Sequence, residues 1–234
     1  MSHKRPARWR RRKAARPAEI LSAALDCFAE RGFAATRLDD IAARAGVSKG
    51  TLYLYFPGKE ELFKALVREE LLPNVERLEA AAAGPGPAAD LLARLLSVWA
   101  AHVAPSRITV LPKLVLAEAG NFPELARFYL REVIHRAFRL LRSVLRRGVE
   151  TGEFRPIDVE HTAFCVVGPL VLSALWKHTF DAHAESPLDV AALCRAHLDA
   201  LLNGLLRPAA PRRAKPSKAR RTPRKEATRD PERR

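Results

Sequence analysis

Three features of the 234-residue sequence predict an all-α fold. Apolar residues recur at spacings of three and four along most of the chain. Period-2 alternation of useful length is missing, so strands are not expected. Breakers cut the chain into helix-sized lengths: Gly32, Gly46, Pro57-Gly58, "AGPGP" at 83–87, Pro105, Gly120-Asn121, Gly152 with Pro156, and Ser186-Pro187. The layout is an N-terminal three-helix unit, joined by a long helix to a second all-helical domain.

The elements follow in order. "PAEILSAALDCFAERG" opens with Pro17 at a helix N-terminus and stops at Gly32. Its apolar positions Ile20, Leu21, Ala24, Leu25 and Phe28 line one face. In "ATRLDDIAARAG", Thr36 is a good N-cap with Asp39 three residues on, and Gly46 ends the helix. Ser48 caps a third short helix, Lys49 to about Phe56. Lys59 begins a long helix that reaches toward Ala83. Beyond "AGPGP", helices are expected near 88–103, 108–119, 123–151, 158–178 and 187–205. Gly168-Pro169, inside an apolar stretch, predicts a kink or break.

Charge is unevenly spread. The net charge is +15, yet residues 1–16 carry +8 without an acid and residues 207–234 carry +9, which leaves 17–206 at −2. The two tails are expected to be disordered: a basic arm over 1–16 and a Pro/Lys/Arg-rich tail over 207–234 with no apolar periodicity. Basic tails suit a polyanion, nucleic acid first. Cys27, Cys165 and Cys194 are far apart and odd in number, which argues against a disulfide framework or a zinc site and fits a reducing, cytoplasmic setting. No metal or cofactor is expected. The N-terminus lacks the apolar region of a secretory signal. The longest apolar run, Ala163 to Trp176, is too short to span a bilayer, so no membrane partner is expected.

The second and third helices carry the sharpest signal. "LDDIAARAGVSKGTLYLYF" gives a helix, an Ala45-Gly46-Val47 turn and a Ser-capped helix, which is helix-turn-helix spacing. Helical phase sorts the aromatic residues that follow. Leu52 and Phe56 share an inner face, as does Phe63 in the next helix, while Lys49 and Tyr53 share an outer one. Gly50 permits close backbone approach, and Ser48 and Thr51 offer hydroxyls near a helix N-terminus. Tyr55 lies between faces and is expected to be half packed.

With its preceding helix and the following "YFPGKEELF", this segment resembles the DNA-binding domain of TetR/AcrR-type transcriptional regulators over residues 17–66. Residues 67–206 resemble that family's helical ligand-sensing and dimerisation domain in layout. The resemblance implies that the third helix enters the major groove of double-stranded DNA. It implies Thr36 and Arg37 on the backbone, Ser48, Lys49, Gly50, Thr51, Tyr53, Leu54 and Tyr55 at or beside the groove, and Lys59 on phosphate. Leu54 stands where the family often has a polar or aromatic residue. Gly58 stands where a Ser cap is common, weakening the start of the fourth helix.

A homodimer on a palindromic operator would follow, since one helix-turn-helix reads only a half-site. The expected dimer seam uses Phe164, Val167, Val171, Leu175, Leu193, Leu198, Leu201 and Leu205. A small hydrophobic effector would bind between helices, with His102, Tyr129, Arg136 and His178 as polar candidates. HExxH, GxSxG, paired carboxylates and glycine-rich phosphate loops are absent from the sequence, and His161 with Cys165 lacks an orienting third group, so no enzyme is expected. The leading expectation is a repressor released by its effector. Two alternatives are a sequence-independent architectural DNA-binding protein driven by the tails, and a regulator governed by a protein partner.

Overall fold

The computed structural model describes residues 7–206, with side chains from Arg16 onward. Eleven α-helices are described: α1 (Ala7–Arg31), α2 (Leu38–Arg44), α3 (Lys49–Tyr55), α4 (Lys59–Leu66), α5 (Leu72–Ala82), α6 (Ala88–Val98), α7 (Val110–Glu118), α8 (Pro123–Tyr129), α9 (His135–Glu150), α10 (Val159–Lys177) and α11 (Val190–Leu205). No strand longer than a single bridge, Phe154 to Leu206, occurs among the described residues.

Two boundaries differ from expectation. Helix α1 begins at Ala7, so Pro17 lies within it rather than at its start. The run from Ala7 to Arg16 is all Ala, Arg, Lys and Trp, mostly strong helix formers with no breaker, and a helix continues through it. The rest of the expected arm, and the tail over 207–234, lie outside the described residues. Helix α10 runs unbroken through Gly168-Pro169 where a kink was expected.

Helix α4 continues into α5 through a wide π turn, Val67–Leu71. Two more π turns, Trp99–Val103 and Leu130–Ile134, extend α6 and join α8 to α9. Helix α6 begins after "AGPGP", where Glu153 from the α9–α10 loop caps it: its carboxylate accepts the N–H groups of Ala88 and Ala89 at 2.6 and 3.0 Å. At Gly148 the backbone of α9 lies so close to the buried Phe154 ring that an added Cβ would sit 2.2 Å from it.

Two cores organise the helices. The first runs from α1 through α5 and continues into α7 and α8. The second joins α6, α9, α10 and α11. The N-terminal helices therefore do not pack alone. Their core is completed by helices from the second half of the chain.

Candidate nucleic-acid interface and ligand cavity

The turn between α2 and α3 needs a positive φ, and Gly46 supplies it at +64°. Ser48 starts α3 by accepting the Thr51 N–H at 3.1 Å, and its hydroxyl meets that of Thr51 at 2.8 Å. Leu52 and Phe56 go inward, as their phase predicts, and Phe63 is fully buried. Tyr55 is half-buried against the same core. The opposite face carries Lys49, Gly50, Tyr53 and Leu54, all exposed. Leu54 is 84% exposed and Tyr53 45%, a solvated apolar–aromatic pair on a short helix. Lys49 is held only by Asp39, at 2.9 Å, and both side chains stay largely exposed.

Two residues expected on this face are elsewhere. Thr36 is buried, with its hydroxyl donating to the carbonyls of Gly32 and Cys27 at 2.7 and 3.1 Å. It is not the helix cap: α2 starts one residue later, with exposed Arg37 at the N-cap and Asp40 accepting the Arg37 N–H at 3.4 Å. Lys59 reaches back to donate to the carbonyls of Phe33, Ala34 and Thr36 at 2.6, 2.9 and 3.2 Å. Its ammonium also lies 4.7 Å from the Phe33 ring centroid and 5.7 Å from that of Phe122. All three protons are used, and burial lowers its pKa. The loop between α1 and α2 has few other donors facing its carbonyls, which is why the lysine turns inward.

The same loop is the seam between the two halves of the chain. Buried Glu118, the last residue of α7, accepts the Ala34 N–H at 2.9 Å and the Asn121 side-chain amide at 3.1 Å. Phe122 packs edge-on against Phe33, with centroids 4.9 Å apart. Arg107, just before α7, pairs with Asp26 of α1.

Helix α7 also walls a cavity of about 220 Å³ enclosed by α5 to α10. Pro112, Val115 and Leu116 face it from α7, and Val166, Val167, Leu170 and Val171 from α10. No charged residue lines it. Each of the three π turns contributes to its wall: Leu71, then Trp99 and Val103, then Val133 and Ile134. Wide turns of this kind recur at functional sites because they push side chains out of helical phase.

Of the four polar ligand candidates, the structure brings Tyr129 alone to this wall. His102 is exposed on the outside of its π turn. Arg136 forms a two-pronged pair with Glu79 at 2.7 and 3.0 Å. His178 is tied to α7: its Nε2 meets the Thr109 hydroxyl at 2.8 Å, and its carbonyl accepts from Lys113 at 2.5 Å. The one Thr109 hydroxyl proton goes to the Ser106 carbonyl, so the His178 Nε2–H is the donor. Burial and the nearby Lys177 and Lys113 push the pKa of His178 down to about 4. Sequence reasoning missed Trp99, Asn74 and Thr109 as wall residues. Their only signal was polar character in otherwise apolar helices.

Residues 20–66 match the family described as "Bacterial regulatory proteins, tetR family", and residues 85–191 match "Tetracyclin repressor-like, C-terminal domain". The chain is 30% identical over 202 residues to the HTH-type transcriptional repressor KstR2 of Rhodococcus jostii, covering 84% of this chain and 94% of that protein. The chain belongs to the TetR family. As a member of that family it is a DNA-binding transcriptional regulator. Solved TetR-family neighbours share the fold: FadR of Bacillus subtilis in complex with stearoyl-CoA has a TM-score of 0.68 at 26% identity, covering 80% of this chain and 98% of that one. The ketosteroid transcriptional regulator KstR2 of Mycobacterium tuberculosis has a TM-score of 0.66 at 27% identity, covering 82% and 95%.

TetR-family regulators pair through their C-terminal helices, and α10 of this chain has an uncovered apolar face. Phe164, Leu172, Trp176 and Phe180 stand exposed at intervals of four or eight, with Gly168 in the same row. The helix, at a mean hydropathy of 1.4, is long and apolar enough to cross a membrane by composition alone. The expected seam is correct for Phe164 as an exposed residue, but not for Leu205, which is buried in the second core. Val167 and Val171 are half-buried at the cavity wall. They lie three positions behind the exposed row, about 60° around the helix toward the interior. Leu175, Leu193, Leu198 and Leu201 are half-buried.

Proposed function

We propose that this chain is a cytoplasmic homodimeric repressor that reads a palindromic operator with two copies of α3 and is released by a small apolar effector. The observation that carries the reading is the double role of α7. Its side chains Val115 and Leu116 wall the cavity, and its last residue, Glu118, holds the Ala34 N–H of the DNA-binding unit. A ligand that spreads the wall at Val115 moves Glu118, and with it the loop that Lys59 ties to α4. The two α3 helices then leave the half-site spacing. Such a ligand must bind the released state more tightly than the DNA-bound one, since equal affinity shifts nothing.

On the operator, Tyr53 and Leu54 meet base edges while Lys49, Thr51 and the start of α3 lie on phosphate. Arg37 and Ser48 flank them, and Tyr55 offers its hydroxyl from the side. The exposed row of α10 meets its copy across the two-fold axis. Relatives of similar fold carry the effector part of the reading: the FadR structure holds stearoyl-CoA.

The test is fluorescence anisotropy on the DNA upstream of the gene, against equal random competitor at physiological salt. Preferential binding is expected, as is its reversal by the extract fraction that stabilises the protein thermally. Equal binding to both DNAs would remove the operator reading in favour of an architectural one. Glu118→Ala is expected to bind the effector normally and to resist release.

A further inference from the structure

The cavity wall holds four side chains with polar atoms among the described residues: Asn74, Trp99, Thr109 and Tyr129. Two are already spent. The Asn74 amide donates to the Glu70 carbonyl at 3.0 Å and accepts from Arg77 at 2.7 Å. Thr109 is engaged by Ser106 and His178. The other two are not. The Trp99 indole N–H is shielded from solvent and has no acceptor. Tyr129 is 6% exposed, and its hydroxyl makes no hydrogen bond to any described residue. Buried donors are almost always paired in native proteins, so two unpaired ones in the wall of one chamber need an explanation.

Their placement is not accidental to the local backbone. Trp99 is the first residue of one π turn, and Tyr129 directly precedes another. In both helices the extra residue of the wide turn changes the phase beside the donor. Each distortion thus occurs where a polar group joins an otherwise apolar wall.

The chemistry of the two groups restricts what they can meet. An indole N–H only donates, and a phenol both donates and accepts. Burial raises the Tyr129 pKa, so the phenol keeps its proton and is a donor at neutral pH. A partner for both is an oxygen with two lone pairs, such as a carbonyl. A carboxylate would have to leave water for a chamber without a cation, and an unpaired buried charge is strongly unfavourable.

We propose that the cavity binds an uncharged lipophilic molecule whose carbonyl or hydroxyl oxygen accepts hydrogen bonds from Trp99 and Tyr129, and that it rejects a free carboxylate in that position. This rests on the reading of the cavity as the effector chamber and names the chemistry of the effector.

The test uses the full-length protein and three probes of equal chain length: 2-tridecanone, tridecanoate and tridecanoyl-CoA. Calorimetric titration at pH 7.5 is expected to show the ketone binding at least about ten-fold more tightly than the carboxylate. Trp99→Phe and Tyr129→Phe should each weaken ketone binding by about three- to ten-fold, the range of one net hydrogen bond. Without ligand both variants should melt at or above the parent temperature, because each loses an unpaired buried polar group. That separates lost recognition from lost folding. Tridecanoate binding as tightly as the ketone would overturn the proposal, as would ketone affinity unchanged in both variants. So would tridecanoyl-CoA binding more tightly than the ketone and indifferent to both substitutions, and so would no binding by any probe. Ketone binding with the expected variant losses, but without release of DNA, supports the chemistry and instead removes the effector reading.

Discussion

The outer face of α3 and the seam at the start of α4 use the same residue types in opposite ways. Lys49 and Lys59 sit ten residues apart, and both were expected to face DNA. Lys49 stands in solvent beside Asp39. Lys59 is folded onto three backbone carbonyls and the edge of an aromatic pair. The hydroxyls divide likewise: those of Ser48 and Thr51 are at the surface, whereas that of Thr36 is buried and shared between two carbonyls. Polar groups near the recognition helix are therefore of two kinds. One kind is left unspent for an outside partner. The other holds the loop against which α7 and Phe122 pack.

The contrast can be broken most decisively at Lys59. Lys59→Ala leaves three carbonyls without their donor, at an expected cost of about 2–4 kcal/mol. A matching fall in chemical-denaturation stability is the check, and an unchanged midpoint would return Lys59 to the surface class. Thr36→Val keeps the shape and removes the hydroxyl, with an expected loss of about 1–2 kcal/mol. Denaturant midpoints again measure it.

His178 extends the comparison to the far end of α7, where another polar residue expected at a ligand is spent on internal contacts. Its folded pKa of about 4 lies below the usual histidine value of about 6.5. The unfolded chain therefore takes up the proton first on acidification. Stability from this group is complete above about pH 6.5 and is lost as pH falls toward 4. Because the ring is only half-buried, about 1 kcal/mol is expected rather than the full shift. Melting temperatures at pH 7 and pH 5 should converge in His178→Gln relative to the parent. An identical pH dependence would place the ring in solvent.

How much of this was legible in the sequence depends on which forces set each position. Local rules were sufficient for the Gly46 turn, the Ser48 cap and the inward phase of Leu52, Phe56 and Phe63, since each is decided within one or two turns of helix. They failed where a distant segment decides. Thr36 and Lys59 turn inward because the α1–α2 loop must be paired and α7 covers it, a contact 84 residues away at Ala34 and Glu118. The cavity was equally hidden. Its wall depends on three π turns, and a shift in helical phase leaves no mark in an apolar pattern. On α10, apolar residues surround the helix, so pattern alone could not tell the exposed row at Phe164, Leu172 and Trp176 from the cavity row at Val167 and Val171.

The smallest stability effects, and the most informative ones, are expected on the outer face. Lys49→Ala removes one exposed ion pair and should change stability by less than about 1 kcal/mol, while weakening every DNA by a similar factor and reducing the salt slope by about one. Tyr53→Phe should leave stability unchanged, because the ring is already half in water and the substitution touches no described hydrogen bond. Its effect on DNA separates two contacts that the geometry allows. If the hydroxyl meets phosphate, affinity falls by about the same factor on operator and random DNA. If it meets a base edge, the loss is confined to the operator and appears as lowered preference at one base pair. The neighbouring Leu54 sharpens the choice. Being 84% exposed and apolar, it has no chemistry for phosphate, so Leu54→Ala can act only through base contact, with a thymine methyl as the natural partner. A Tyr53→Phe loss that depends on the same base pair as the Leu54→Ala loss would place both side chains in the groove. A loss independent of sequence would leave Leu54 as the single base reader of the pair.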